Sequence, residues 1–343
     1  MKKLLNTLYV STQGSYLRKE GETLVVEQEK KKVIQLPIHN LGGLVCFGNV
    51  LCSPFLLGFC AEKDVSVSFL TEYGRFLASI RGPVSGNVLL RREQYRKADD
   101  LHVIRDIAAN IVAAKIANGR VVLNRTLRDH QEKVDTPALK TAAVHMAGYI
   151  RQIQKTGTTD EIRGIEGIAA AHYFSVFNHL IVDQEKDFVF TERSRRPPLD
   201  EVNALLSFTY TLVAHDIRSA LETVGLDPSV GFLHRDRPGR PGLALDLMEE
   251  FRHVIADRLV LSLINRRQVQ KNGFKRAENG AVIMSDDTRK VLLTEYQNRK
   301  QTEVYHPYIE ETVPIGLLFF VQANLLARFV RGDIDGYPPF FWR

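Results

Sequence analysis

Glu166 stands where an amphipathic helix should be apolar. At Thr158 the chain carries a helix-start signature, Thr158-Thr-Asp-Glu161, a hydroxyl at the cap and a carboxylate three residues later. At about 100° per residue, Ile162, Ile165, Ala169, Tyr173, Val176, Phe177 and Leu180 fall on one stripe. Glu166 falls inside that stripe, beside Gly164, Gly167 and Ala169-Ala-Ala171. A buried, unpaired carboxylate costs several kcal/mol, so such a group is paired, protonated or bound to a metal. The small neighbours leave room for another backbone or a ligand. The plain alternative is an ion pair with an arginine at a helix contact, and this helix alone leaves both readings open.

A second cluster lies downstream. Val230-Gly-Phe-Leu-His234 is an apolar approach to a histidine, followed at once by Arg235-Asp-Arg-Pro-Gly-Arg-Pro241. Taken singly, His234 reads as a core or capping histidine, and Arg235, Arg237 and Arg240 as a solvated turn. Next comes Leu243-Ala-Leu-Asp-Leu-Met-Glu-Glu-Phe-Arg252, where Asp246 and Glu249 are three apart and share a helix face. Leu247, Phe251, Val254 and Arg258 line another face, a pattern that any surface helix shows. The combination is what signals chemistry. One imidazole with two or three carboxylates and no thiolate suits a hard or borderline divalent ion, Mg²⁺ or Mn²⁺. Such an ion beside arginines suits phosphodiester chemistry, in which the metal polarises a phosphoryl oxygen and guanidiniums hold neighbouring phosphates.

Other chemistries fit less well. No GxxxxGK loop, no GxGxxG after a strand and no GxSxG elbow is present. Glu-x-x-His occurs twice, at Glu250/His253 and Glu303/His306, which raises a di-iron carboxylate bundle. Pro307 directly follows His306 and disfavours helical geometry there, so the second copy fails.

The elements that must position these residues divide into two kinds. Short β-branched or alternating runs at 4–10, 23–27, 32–36, 43–47 and 65–69 predict strands. Turn-prone pieces such as Gln13-Gly-Ser15 and Lys19-Glu-Gly21 separate them, and 52–63 predicts a short helix. The cluster Arg81-Gly-Pro-Val-Ser-Gly86 marks a boundary, after which the period becomes helical. Helices are expected at 87–118, 136–155, 158–181, 199–224, 243–270 and 314–330, with loops and a helix near 285–300 between 271 and 312. The expected fold is therefore α+β: a small, sandwich-like β domain at 1–84, then a larger all-α domain at 85–343 that carries the site.

Composition agrees. With 343 residues, 44% hydrophobic and 25% charged, the chain is globular and has ample material for a core. A net charge of +6 leans toward a polyanionic partner. The opening Met1-Lys-Lys-Leu-Leu-Asn-Thr7 is too broken for a signal peptide, and the apolar run 313–330 holds Gln322, Asn324 and Arg328, so no membrane span is expected. Cys46, Cys52 and Cys60 lack CxxC spacing and read as buried thiols of a cytoplasmic protein.

With these residues in view, the chain resembles the CRISPR adaptation integrases, the Cas-one family, in the version that accompanies I-C systems. The resemblance spans essentially the whole chain. It rests on Gly164-Ile-Glu-Gly-Ile-Ala-Ala-Ala-His-Tyr-Phe174, Arg195-Arg-Pro-Pro-Leu-Asp-Glu-Val-Asn-Ala-Leu-Leu-Ser-Phe208, Gly231-Phe-Leu-His234 and Leu243–Arg252, in that order. It implies a metal-dependent DNA endonuclease and integrase, in which the 3′-hydroxyl of a captured DNA end attacks a phosphodiester at the edge of a CRISPR array. By resemblance the metal ligands are Glu166, His234 and Glu249, with Asp246 a second catalytic acid near the site, a ligand at one remove, and Glu249 standing where some relatives have Asp. Arg252 matches a basic residue suited to a DNA phosphate. Arg235, Arg237, Arg240, Arg195 and Arg196 are further DNA-binding candidates, the last two at a corner that could be purely structural. The implied partners are double-stranded DNA (spacer precursor and CRISPR repeat), a second copy of the chain joined through the β domain, and the small Cas-two adaptation protein. A structure-specific nuclease for branched DNA and a non-catalytic DNA-binding scaffold are the alternatives. The aromatic tail Gly336-Tyr-Pro-Pro-Phe-Phe-Trp-Arg343 is expected to dock, either on a partner or on the chain's own helices.

Overall fold

The structure is a computed structural model that describes residues 7–63, 65–72, 76–80, 88–184 and 186–342. The expected strand start at Leu4 and the boundary cluster Arg81–Gly86 lie outside the described residues. Contacts gather the chain into two units, Met1–Ser85 with Leu293–Gln301, and Gly86–Leu292 with Thr302–Arg343.

The first unit holds strands β1 (Thr7–Val10), β2 (Tyr16–Glu20), β3 (Thr23–Gln28), β4 (Lys31–Pro37), β5 (Gly43–Phe47), β6 (Leu51–Cys52), β7 (Ser66–Leu70) and β8 (Phe76–Ile80), with helix α1 (Pro54–Glu62). They form two four-stranded sheets, β1-β5-β7-β8 and β4-β3-β2-β6. Strand β5 runs parallel to both β1 and β7, so Leu44 pairs with Leu8 on one side and Val67 on the other. Leu17, Leu24 and Val26 of one sheet, Leu44, Cys46 and Val67 of the other, and Leu56, Phe59 and Cys60 of α1 share one core. That shared core is the sandwich-like arrangement the patterning predicts.

The piece Lys19-Glu-Gly21 is only partly a turn. Strand β2 continues to Glu20 because its charges have cross-strand partners, Arg18 lying 2.7 Å from Glu27, and the turn falls at Gly21, whose φ of 58° favours glycine. All three cysteines are free. The Cys46 sulfur lies 3.9 Å from that of Cys52; this hydrogen bond and burial push the Cys46 thiol up, and burial pushes Cys60 up to about 12. Cys46 and Cys60 are thereby inert core thiols, as expected.

The second unit contains α2 (Val88–Asp99), α3 (Leu101–Asp129), α4 (Thr136–Ile153), α5 (Thr159–Ser175), α6 (Glu201–Thr223), α7 (Gly242–Phe251), α8 (Arg258–Asn265), α10 (Ile315–Arg331) and the start of α9 (Asp286–Gln301). Helix α3 packs against α4, α5 and α7 and so occupies the middle of the unit. The helix expected at 87–118 is in fact two, because the Asp100 carboxylate accepts the N–H groups of His102 and Val103 and starts α3 afresh. The helix expected at 158–181 ends at Ser175, and Phe177–Leu180 forms a 3₁₀ turn. Between α7 and α8, Arg252–Asp257 forms a π turn, a local widening often seen at functional sites. Two short hairpins were not expected: β9 (Phe274–Arg276) with β10 (Val282–Met284), and β11 (Glu303–His306) with β12 (Glu311–Pro314). Strands of three or four residues are too short to show a period.

The aromatic tail folds back on its own unit. The side chain of Asn118 donates to the Phe340 carbonyl and accepts from the Trp342 N–H, while Asn110 donates to the Tyr337 carbonyl. Among the described residues, no helix is long and apolar enough to cross a membrane.

Candidate metal centre

The predicted capping box exists: the Thr158 hydroxyl accepts from the Glu161 N–H, and the Glu161 carboxylate accepts from the Thr158 N–H. It sets the start of α5 and hence the azimuth of Glu166 about two turns later. Ile162, Ala169 and Tyr173 are buried as expected. Glu166 itself sits at the rim of the stripe, its side chain 28% exposed.

Its partner is a residue that sequence reasoning missed. Lys115, 4% exposed in the middle of α3, pairs with Glu166 and lies 2.7 Å from Oε2 of Glu249. One ammonium thus joins carboxylates from two different helices. The available signal was a lysine in the apolar run Ile111-Val-Ala-Ala-Lys-Ile116, a buried cation to match a buried anion. The plain alternative for Glu166, an ion pair with arginine, is half right: the pair exists, with lysine.

Glu249 is on α7, which is buried on nearly every side, so the surface-helix reading of this segment fails. Arg252 donates to Glu249 Oε1 at 2.8 Å. Burial pushes the Glu249 carboxyl up, but Arg252, Lys115 and His234 outweigh it and bring the group down to about 2. It is therefore an anion under all ordinary conditions. Although Lys115 is close to Oε2, that oxygen is buried and receives no well-aimed hydrogen bond.

His234 is placed by Asp246. The Asp246 carboxylate is fully buried; Oδ2 accepts from the N–H groups of Phe232 and Leu233 at 2.6 and 2.9 Å, and Oδ1 from that of His234 at 2.9 Å. The imidazole Nδ1 lies 2.6 Å from the same Oδ1, so Nε2 is the ring nitrogen that Asp246 does not engage. Two glycines permit this approach. A Cβ on Gly231 would come within 2.6 Å of Asp246 Oδ2, and one on Gly242 within 2.7 Å of the Ser229 carbonyl oxygen. Arg163 of α5 then ties the segment to Glu166's helix by donating to the Leu233 carbonyl at 2.6 Å.

Asp246 is expected as a second catalytic acid near the site, a ligand at one remove. Both its oxygens are committed to backbone and imidazole, so it orients His234 and offers no oxygen to an ion. Arg252 was expected at a DNA phosphate. It is 8% exposed, turned onto Glu249 with its guanidinium 4.7 Å from the Tyr210 ring, and is instead the counter-ion of a buried carboxylate. Behind it the Tyr210 hydroxyl donates to Asp257, whose other oxygen lies 2.7 Å from His253 Nδ1. Glu250 faces away and accepts from the Phe340 N–H, the Tyr337 hydroxyl and the Gln322 amide. Glu250 and His253 thus go to separate networks, and Glu303 and His306 lie on a strand, so the di-iron pattern is gone.

The remaining candidate arginines lie nearer the surface. Arg235 is exposed and pairs with Asp160 at 2.9 Å, Arg237 is exposed and Arg240 half-buried. Arg195 and Arg196 are exposed on the corner before α6.

Among the described residues no three histidine, cysteine, aspartate or glutamate groups converge closely enough to hold an ion as they stand. The donor chemistry fits one nevertheless. Two carboxylates from α5 and α7 already meet at a single cation, one of them with an oxygen lacking a hydrogen bond, and His234 is near enough to lower Glu249's pKa. A carboxylate pair with one imidazole is an oxygen-rich set suited to Mg²⁺ or Mn²⁺.

Comparison with known proteins places the chain as a whole. The family model for CRISPR associated protein Cas1 matches residues 8–298. A CRISPR-associated endonuclease Cas1 from Chlorobaculum tepidum is 58% identical over 343 residues, covering all of both chains. Another, from Rhodospirillum rubrum, is 51% identical over 349 residues, again covering all of both. In fold, a CAS1 protein from Thermotoga maritima superposes with a TM-score of 0.82 at 24% identity, covering 98% of this chain and 100% of its own. A casposase bound to integration product gives 0.83 at 23% identity, covering 97% and 93%. The α+β architecture is shared with these structures, and on the family match and the full-length identities this chain belongs to the Cas1 family of CRISPR-associated proteins.

Proposed function

We propose that this protein is a divalent-metal DNA integrase and endonuclease that inserts captured DNA into a CRISPR array, of the version that accompanies I-C systems. The observation that carries the reading is the meeting of Glu166 and Glu249, from separate helices, at one cation, with His234 oriented beside them by Asp246. Relatives more than half identical over their full length are named as CRISPR-associated endonucleases.

Glu166, Glu249 and Nε2 of His234 are the groups that would hold Mg²⁺ or Mn²⁺. What the ion supplies there is Lewis acidity, offsetting charge on the phosphoryl oxygens and acidifying the attacking hydroxyl. The chain's own residues do the positioning. Asp246 fixes the ring and tautomer of His234, and Arg252 keeps Glu249 anionic and aimed. Arg235, Arg237, Arg195 and Arg196, which are exposed, and the half-buried Arg240 supply cations for the DNA backbone, so affinity should fall steeply with salt. Strand transfer and hydrolysis differ only in whether a DNA 3′-hydroxyl or water attacks. We assign homodimerisation to the β domain at residues 1–84 and catalysis to residues 85–343, with Cas2 and the DNA duplex as partners and the cytoplasm as location.

The test is Glu166→Ala in strand transfer with Mg²⁺ or Mn²⁺: activity should vanish, and full activity in the variant would overturn the reading. A second reading, a non-catalytic DNA-binding scaffold, is favoured by the Lys115–Glu166 pair, since a carboxylate already neutralised needs no metal. A scaffold shows no metal-dependent rise in melting temperature, whereas a ligating site does. Comparing linear with branched substrates separates an integrase from a repair nuclease.

A further inference from the structure

Lys115 is out of place in its helix. It is the one lysine in the buried middle of α3, among Ile111, Val112, Ala114 and Ile116, and burying an ammonium is costly unless excellent partners surround it. Its partners are two residues expected to bind a metal ion, Glu166 and Glu249. Without a cation between them, these carboxylates would repel each other in a largely dry setting. A merely structural pair would need only one carboxylate. Here the ammonium touches both, while Glu249 already has Arg252 as a dedicated partner through its other oxygen. The oxygen facing Lys115, at 2.7 Å, is the one with no well-aimed hydrogen bond.

We propose that the Lys115 ammonium is the resident cation of the metal position: it holds Glu166 and Glu249 together in the metal-free protein and competes with the divalent ion for that place. This rests on the metal-site reading above and deepens it. Lys115 carries one charge on a four-carbon tether and needs no coordination shell, so it neutralises the pair without fixing it. An incoming divalent ion must take both carboxylates and leave the ammonium to find solvent or a phosphate. Lys115 is thus a positioning residue whose removal strengthens metal binding, the reverse of what removal of a metal-ordering group does. The competition would keep the nuclease chemistry silent at low metal concentration.

The experiment is Mn²⁺ binding by the full-length protein without DNA, followed by the electron paramagnetic resonance signal of free Mn²⁺ and by the melting temperature with and without Mn²⁺. Lys115→Met and Lys115→Gln should melt lower than wild type without metal, bind Mn²⁺ about tenfold more tightly, and gain more in melting temperature from Mn²⁺. Lys115→Gln, which still hydrogen-bonds, serves if the methionine variant does not fold. Lys115→Arg, which keeps the charge, should bind no more tightly than wild type. If wild type binds Mn²⁺ and the neutral variants bind equally or more weakly, the competition is refuted while the metal site stands. Equal tightening in Lys115→Arg also refutes it. If neither wild type nor any variant binds Mn²⁺, the metal-site reading fails and takes this proposal with it.

Discussion

Nδ1 of His234 lies 2.6 Å from Oδ1 of Asp246, a carboxylate that also accepts three successive backbone N–H groups, those of Phe232, Leu233 and His234. One acid therefore shapes the loop and orients the ring, which makes Asp246 a support for the site. Asp246→Asn should lower metal-dependent strand transfer by about 10- to 100-fold through misorientation of the imidazole. Asp246→Ala should in addition destabilise the fold by about 2–4 kcal/mol, because buried N–H groups lose their acceptor. Strand-transfer rates and urea denaturation check the two effects, and undiminished activity in Asp246→Asn would remove His234 orientation from the mechanism.

Buried and exposed arginines should separate cleanly. Arg252→Ala leaves Glu249 without its main counter-ion and should cost about 3–5 kcal/mol of stability with little change in the salt dependence of DNA binding. The triple variant Arg235→Ala/Arg237→Ala/Arg240→Ala should do the opposite. Its stability should stay within about 0.5 kcal/mol per site. Its slope of log affinity against log salt should fall by about 1 for each DNA phosphate that is no longer neutralised. Filter binding across a salt series, with thermal melts, measures both.

Two neighbouring acids on α7 have opposite pH signatures. Glu249 falls to about 2 in the fold against an ordinary 4.5, so its stabilisation is present above pH 4.5 and is lost as pH drops toward 2. Glu250 is pushed up to about 7 by burial, against the pull of Phe340, Tyr337 and Gln322. Its contribution is full below pH 4.5 and is lost as pH rises through 7. Glu250→Gln removes that titration. The melting temperature of wild type relative to Glu250→Gln should therefore decline between about pH 5 and pH 8, and a constant difference would show that Glu250 does not titrate there.

Gly119 is demanded by a ring. A Cβ there would lie 2.9 Å from His253 Cδ2 and 2.9 Å from Met146 Cε. The methionine end can move, whereas His253 is held by Asp257 at 2.7 Å. Gly119→Ala should therefore destabilise by about 1–3 kcal/mol despite the better helix propensity of alanine, as denaturant melts will show.

Much of the fold was legible because periods are local. The stripe of α5, its capping box, the strands at 23–28 and 43–47 and the helix at 286–301 each follow from residues a few positions apart. Where the reading missed, the deciding partner was distant or the element too short. β2 keeps its charges because Arg18 meets Glu27 across the hairpin. The restart at Asp100 is the exception, a local cap on N–H groups two and three residues on. The π turn at Arg252–Asp257 leaves the composition of a helix unchanged, so no pattern marks it.

By itself the sequence determined the two kinds of architecture, the apolar faces and the acids and imidazole available for chemistry, since these depend on residue type and spacing alone. It also ruled Glu303 and His306 out of a helical metal motif, because Pro307 acts on its immediate neighbour. Only the tertiary structure decided how those groups are employed. It brought Lys115 from α3 between Glu166 and Glu249, committed Asp246 to His234 and three backbone groups, and buried Arg252 on Glu249. It also folded the aromatic tail onto its own unit through Glu250 and Asn118. The physical reason is that a charge's role depends on which opposite charge lies within a few ångströms, and residues 51 positions apart, such as Lys115 and Glu166, become neighbours only when helices pack.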